Sequence, residues 1–171
     1  MDNFAEVMVK RSVSAKEKWL RILYFVIATA LSIPVFMFGV FEIKALSFLK
    51  NLNFVFPLLF YYGAFYLSAK FNKEFEYTFV EGQIEIDQII SGKKRKNICK
   101  IMCKDMTFCK AYNGNVISEN CKKINAYGDD LFGPVYLIRA YGMKQEYAIL
   151  FQPNEKLLDL IYTYNKSLTK E

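Results

Sequence analysis

The chain has 171 residues, of which 53% are apolar and 17% aromatic, and its formal net charge is +6. This composition excludes disordered, collagen-like and low-complexity proteins. Histidine is absent, so the side chain that most often serves as general base or metal ligand is missing.

The first part of the chain contains two long uncharged stretches, residues 22–41 and 51–69. At about 1.5 Å per residue each stretch reaches nearly 30 Å, the thickness of a bilayer's hydrocarbon core. The pattern predicts a transmembrane hairpin of two helices over residues 22–69. Two buried helices of a soluble protein are the alternative, but the remaining chain of about 100 residues is too short to enclose two helices that are apolar all round.

Basic residues predict the orientation of this hairpin. Residues 1–21, interpreted as an N-terminal tail, carry five Lys or Arg side chains, whereas the connection 42–50 carries two. Because Lys and Arg stay on the cytoplasmic side, we expect both termini in the cytoplasm of a protein that crosses the cell membrane twice. A cleaved signal peptide ending near Ala30 is disfavoured because the apolar run continues to Phe41.

Residues 70–171 are expected to form a cytoplasmic β domain. Apolar and polar residues alternate from Phe75, and Glu81-Gly82 and Ser91-Gly92 predict turns. Further strands are predicted near residues 98–102, 122–126, 135–141 and 145–151. An amphipathic helix over 154–169, with Asn154 as N-cap, closes the chain. The predicted fold class is α+β: an antiparallel sheet or partly open barrel capped by a C-terminal helix.

The stretch 76–97, EYTFVEGQIEIDQIISGKKRKN, carries a resemblance to a known family. The turn at Gly82, the strand from Ile84 to Asp87 and the basic cluster that follows are similar to a segment of small membrane proteins from Gram-positive, clostridia-like bacteria. The soluble part of those proteins resembles a bacterial pleckstrin-homology-like (PH-like) domain. The resemblance implies a PH-like cytoplasmic domain after a transmembrane hairpin, and it implies no catalytic residues.

One basic run is the candidate contact site, and it consists of Lys93, Lys94, Arg95 and Lys96. Near anionic lipid each basic side chain contributes about 1 kcal/mol, so the run could hold the domain against the bilayer. The competing interpretation is a solvated hairpin end that keeps a strand edge soluble. We expect the lipid bilayer as partner, with anionic headgroups or another membrane protein at this run. Nucleic acid is not expected, because residues 70–171 carry a net charge of only +3. The sequence does not predict an oligomeric state.

An enzyme would be expected to use carboxylates or cysteines. Glu85 with Asp87 and Asp129 with Asp130 form acidic pairs, but strand alternation and an acidic loop explain them. The four cysteines follow the second apolar stretch with spacings typical of neither zinc nor redox motifs, so we expect free thiols in a reducing cytosol. We therefore expect no catalytic residue, metal or cofactor. The favoured function is a non-catalytic scaffold or sensor, and the alternative is a small membrane enzyme or an enzyme accessory subunit.

Overall fold

The computed structural model describes residues 3–38, 54–114, 121–129, 133–141 and 146–168. The chain divides into two compact units. Residues 1–12 and 73–171 form the first, called here the strand unit, and residues 13–72 form the second, called here the helical unit. The structure therefore differs from the predicted organisation: residues 1–12 belong to the same unit as the C-terminal half and are not a separate tail.

The helical unit contains helix α1, Ala15–Phe38, and helix α2, Val55–Ala69. α1 begins seven residues before the predicted start at Ile22, and the Glu17 carboxylate accepts the Ser14 N–H at 2.8 Å beside its first turn. Its segment Ala15–Met37 contains an 18-residue stretch with a mean hydropathy of 2.0 and is long and apolar enough to cross a membrane. α2 has 15 residues, and residues 39–53, with the predicted connection, lie outside the described part.

A hydrogen bond between two hydroxyl groups connects the two helices. Thr29 Oγ1 lies 2.8 Å from the Tyr61 hydroxyl and donates its own hydrogen to the Phe25 carbonyl at 2.9 Å, so Tyr61 donates to Thr29. Ala28 on α1 and Ala64 on α2 are both buried. Small side chains at these positions let two helices approach closely.

Among the residues that the structure describes, the strand unit contains eight strands in two four-stranded sheets. The strands are β1 Phe4–Lys10, β2 Lys73–Val80, β3 Gln83–Ile90, β4 Lys94–Met102, β5 Met106–Ala111, β6 Lys122–Ala126, β7 Tyr136–Tyr141 and β8 Glu146–Phe151. The first sheet has the order β1-β2-β3-β4, and the second has the order β5-β7-β8-β6. The α+β prediction is confirmed, but the expectation of antiparallel pairing throughout is wrong for β6, which runs parallel to β8.

Strand β1 is an edge strand that the sequence analysis assigned to the tail. It pairs along its whole length with β2, from Phe4 opposite Val80 to Lys10 opposite Glu74. Its apolar residues alternate, and Ala5 and Val9 are buried in the main core. The strand is therefore an integral part of the first sheet.

The predicted turns at Glu81-Gly82 and Ser91-Gly92 are confirmed. All four residues have positive φ angles, between 47° and 84°. Two consecutive left-handed residues give the backbone a turn that matches the twist of the flanking strands. These turns connect β2 to β3 and β3 to β4 in tight hairpins.

The core lies between the inner faces of the two sheets and helix α3, Glu155–Tyr164. The Asn154 side chain accepts the Leu157 N–H at 2.8 Å, which confirms the predicted N-cap. α3 ends five residues before the predicted end at 169. The Asn165 amide donates to the carbonyls of Cys103 and Met106, so the chain that leaves the helix is fixed to the sheets. The largest fully buried side chains include Tyr77, Phe79, Phe151, Ile84, Ile86, Ile138, Ile149, Leu157 and Ile161.

Candidate functional site

Strand register gathers basic residues at one end of the first sheet. Lys10 lies opposite Glu74, Lys73 opposite Ile90, and Ile90 opposite Lys94. The last residues of β1 and β3 and the first residues of β2 and β4 therefore share this end. We call it the basic end and define it by Lys10, Arg11, Lys73, Lys93, Lys94 and Lys96.

The chain leaves and re-enters the strand unit at the basic end. The Arg11 N–H donates to the Lys73 carbonyl at 3.0 Å, so the departing and returning segments are adjacent here. Residues 11–14 connect β1 to α1, and residues 70–72 connect α2 to β2. Three of the four residues of the predicted contact run lie in β4, and only Lys93 lies in the turn before it.

Arg95 has a different role from its three lysine neighbours. Its guanidinium donates a hydrogen bond to Glu76, and its Nε lies 3.5 Å from Asp87 Oδ2. The Glu76 side chain is only 5% exposed, so this pair neutralises a buried carboxylate. The hydrogen bond to Glu76 raises the pKa of Arg95 above its usual value. Lys94 and Lys96 flank Arg95 along the strand and so lie on the other face of the sheet.

The face of the first sheet that carries Arg95 also carries the acidic pair Glu85 and Asp87. The Asn97 amide donates to Glu85 Oε1 and to Asp87 Oδ1, both at 2.7 Å. Lys100 Nζ lies 3.4 Å from Glu85 Oε2. The two carboxylates thus share one face, as predicted, within a network of amide and cationic partners. Among the residues that the structure describes, no three His, Cys, Asp or Glu side chains form a group able to hold a metal ion.

The second acidic pair lies in a loop fixed by Gln152. This buried side chain accepts the Gly128 N–H at 2.7 Å and donates to the carbonyls of Asp129 and Gly133, both at 2.9 Å. The Asp129 carboxylate accepts the Ser12 N–H at 2.8 Å, next to the basic end; Asp130 lies outside the described residues. Gln152 directly follows the last predicted strand, 145–151, and the alternation of that strand gave no signal for this role.

The cysteines are packing groups. Cys103, Cys109 and Cys121 are buried and Cys99 is half-buried. Burial raises the pKa of Cys99, Cys103 and Cys109 to about 12. Since the thiolate is the reactive form, these three thiols are poor nucleophiles at neutral pH.

Comparison with known proteins identifies the family of the chain. No match to the chain was found among curated proteins or among solved structures. A family model described as "Bacterial PH-like domain (DUF6106)" matches residues 1–171, the whole chain. The two sheets and the C-terminal helix give the strand unit the α+β architecture that this description implies. The chain therefore belongs to the bacterial PH-like domain family DUF6106.

Proposed function

We propose that the protein is a membrane-anchored, non-catalytic binding module whose PH-like domain acts at the inner face of the cell membrane. Membership of a PH-like family supports a binding role. Helix α1 supports the anchor, because its length and composition suit a membrane span. The engaged carboxylates and the raised thiol pKa values give no support to the alternative of an enzyme.

The pairing of β1 with β2 is the observation that carries the proposed topology. These strands lie on either side of the helical unit in sequence and are hydrogen-bonded neighbours. Strands of one sheet lie on the same side of a membrane, so the chain between Ser12 and Lys73 crosses an even number of times. If α1 crosses, the chain must return, and the uncharged stretch that contains α2 is available for the return. This supports two spans with both termini on the same side.

Two further observations support the cytoplasmic side and an uncleaved anchor. The basic end places Lys and Arg beside both connections to the helices, as the positive-inside rule requires. Cleavage within α1 would remove β1, and with it the buried side chains of Ala5 and Val9.

The lysines of the basic end are the proposed contact with anionic headgroups. Lys93, Lys94 and Lys96 are exposed and lie at the end from which the chain runs into the apolar helices. Arg95 is excluded from this contact set, because its guanidinium is engaged by Glu76 and Asp87. A partner membrane protein with an acidic surface remains the alternative ligand at the same lysines.

Cysteine labelling tests the topology. Three native thiols are buried and that of Cys99 is half-buried, so an impermeant maleimide would react poorly with them on either side of the membrane, and introduced cysteines are needed. Lys104→Cys lies at an exposed position of the strand unit, and Ser47→Cys lies in the predicted external connection. In intact cells only Ser47→Cys should be labelled, whereas Lys104→Cys should require opened cells. Labelling of Lys104→Cys from outside would refute the orientation, and recovery of the protein in the soluble fraction would refute the anchor.

Reconstituted protein tests the lipid contact. A fluorophore on Lys93→Cys should be quenched by quencher-bearing headgroups more strongly in vesicles containing phosphatidylglycerol than in neutral vesicles. The difference should shrink as salt rises from 0.1 to 1 M, because the Debye length falls from about 10 Å to about 3 Å. Lys104→Cys removes the same charge far from the basic end and serves as the control. Equal responses at the two positions would contradict lipid contact at the basic end.

A further inference from the structure

Residues at the C-terminal end of the helical unit hold the side chain of Arg21 in α1. Its Nη2 donates to Asn72 Oδ1 at 2.6 Å, and its guanidinium carbon lies 5.9 Å from the centre of the Phe71 ring. The Tyr24 ring stacks on Phe71, with 6.2 Å between centroids and 9° between planes. The cationic group is thus held by one hydrogen bond and one aromatic face.

The guanidinium retains hydrogen-bonding capacity. It carries five N–H groups, and the Asn72 carbonyl oxygen accepts from one nitrogen. Its Nε is buried and has no hydrogen-bond partner among the described residues. A buried donor without an acceptor is unfavourable, so an oxyanion that reached this group would be bound strongly.

An apolar groove begins at the same side chain. It has a volume of about 690 Å³ and is lined by Arg21, Ile22, Phe25, Val26, Thr29, Ala30 and Ile33. From Arg21 to Ile33 the helix rises about 18 Å, close to the thickness of one leaflet, about 15 Å. A positive group at one end of an apolar groove of this length is complementary to a phosphate attached to an acyl chain.

We infer that the helical unit holds one anionic phospholipid, with its phosphate on Arg21 and an acyl chain along the groove to Ile33. This inference rests on the proposed membrane anchoring. Arginine suits the role because its planar fork can donate two parallel hydrogen bonds to a phosphate. Basic pockets on the cytoplasmic side of membrane helices bind such headgroups. The site consists of residues of the helical unit, whereas the lysines of the basic end belong to the strand unit.

Native mass spectrometry of the full chain in mild detergent tests the site. Wild-type protein offered equal amounts of phosphatidylglycerol and phosphatidylcholine should retain one phosphatidylglycerol. Arg21→Gln should weaken this retention about tenfold, since it removes a charge-assisted hydrogen-bonding group. Lys18→Gln, which removes the same charge at an exposed position of α1, should retain the lipid like wild type. Equal losses in the two variants, or no preference between the two lipids, would overturn the inference.

A second variant tests the groove independently of charge. Ala30→Trp fills the groove and keeps Arg21, so it should also reduce phosphatidylglycerol retention. Glycerol 3-phosphate, which has the phosphate without acyl chains, should not displace the lipid; displacement would refute the acyl-chain contact. Membrane fractionation separates this inference from the proposed function. A protein extracted from membranes without a retained lipid refutes only the lipid site, whereas a protein found in the soluble fraction refutes the anchor itself.

Discussion

Replacing Arg95 with Gln should destabilise the strand unit, because the Glu76 carboxylate would stay buried without its cation. The Glu76 side chain is 5% exposed and that of Asp87 is 13% exposed, whereas that of Arg95 is 59% exposed. Breaking a fully buried ion pair costs about 3–5 kcal/mol, and an exposed pair contributes about 0–1 kcal/mol. For this pair, whose carboxylates are buried and whose guanidinium is largely exposed, we expect a loss between these two cases. In a domain of this size we expect Tm to fall by several degrees.

Thermal unfolding of the full chain in detergent, followed by circular dichroism of the strands, measures this loss. Lys94→Gln is the matched control, because Lys94 is the exposed neighbour of Arg95, and it should change the free energy of unfolding by less than about 0.5 kcal/mol. The double variant Arg95→Gln, Glu76→Gln should recover much of the loss, since neither remaining group is charged. A Tm for Arg95→Gln equal to that of the control, or strictly additive effects in the double variant, would refute the reasoning.

The ion pairs of Arg95 determine which charge-reversal variant can test the lipid contact. Reversing the charge of all four residues of the basic run would place an acidic side chain beside Glu76 and Asp87. Loss of binding in that variant would then report a damaged sheet. Reversal of Lys93, Lys94 and Lys96 alone keeps the Arg95 ion pairs and isolates the surface charge.

Three further predictions concern packing and the thiols. Gly128→Ala should lower Tm, because a Cβ there would lie 2.3 Å from the Lys10 carbonyl oxygen, which belongs to backbone that cannot easily shift; differential scanning fluorimetry checks this. Gly82→Ala should destabilise α3, since its Cβ would lie 2.6 Å from Tyr164 Cδ1 and its φ of 84° is strained for alanine; hydrogen exchange of α3 amides should rise, and unchanged protection would contradict the packing. The raised thiol pKa values mean that the folded protein keeps protons that the unfolded chain loses above pH 9. The free energy of unfolding should therefore fall as pH rises from about 9 to 12. Alkylation of Cys99, Cys103 and Cys109 at pH 8 should be slow unless the protein is unfolded.

Local patterns predicted the hairpins because each signal lies within a few residues. Alternation around Tyr77 and the left-handed pairs at Gly82 and Gly92 depend on neighbouring positions alone. β1 carried the same alternation, with Ala5 and Val9 inward, but it lies directly before an apolar helix, and its basic residues indicated a tail. Its partner β2 is more than 60 residues away, so patterns of neighbouring residues could not predict the pairing.

The sequence predicted several charged residues of the candidate site but not which of them lie next to each other in the sheet. The run from Lys93 to Lys96 is visible in the sequence, yet only the register of β2, β3 and β4 shows that Arg95 meets Glu76. The same register adds Lys10 and Lys73 to the basic end. The parallel pairing of β6 with β8 also depends on contacts between distant segments.

The position of β1 has a consequence for synthesis on the ribosome. β1 is made before either helix, but its partner β2 follows roughly 60 residues later, which at about 5–20 residues per second is a delay of roughly 3–12 s. During that interval β1 has an unpaired edge, and it can pair only after the chain has passed both helices. In the proposed two-span topology, the first sheet therefore closes only after both helices have been inserted. In that topology, a chain whose second span failed to insert would leave Ala5 and Val9 exposed, a feature that quality-control proteases can recognise.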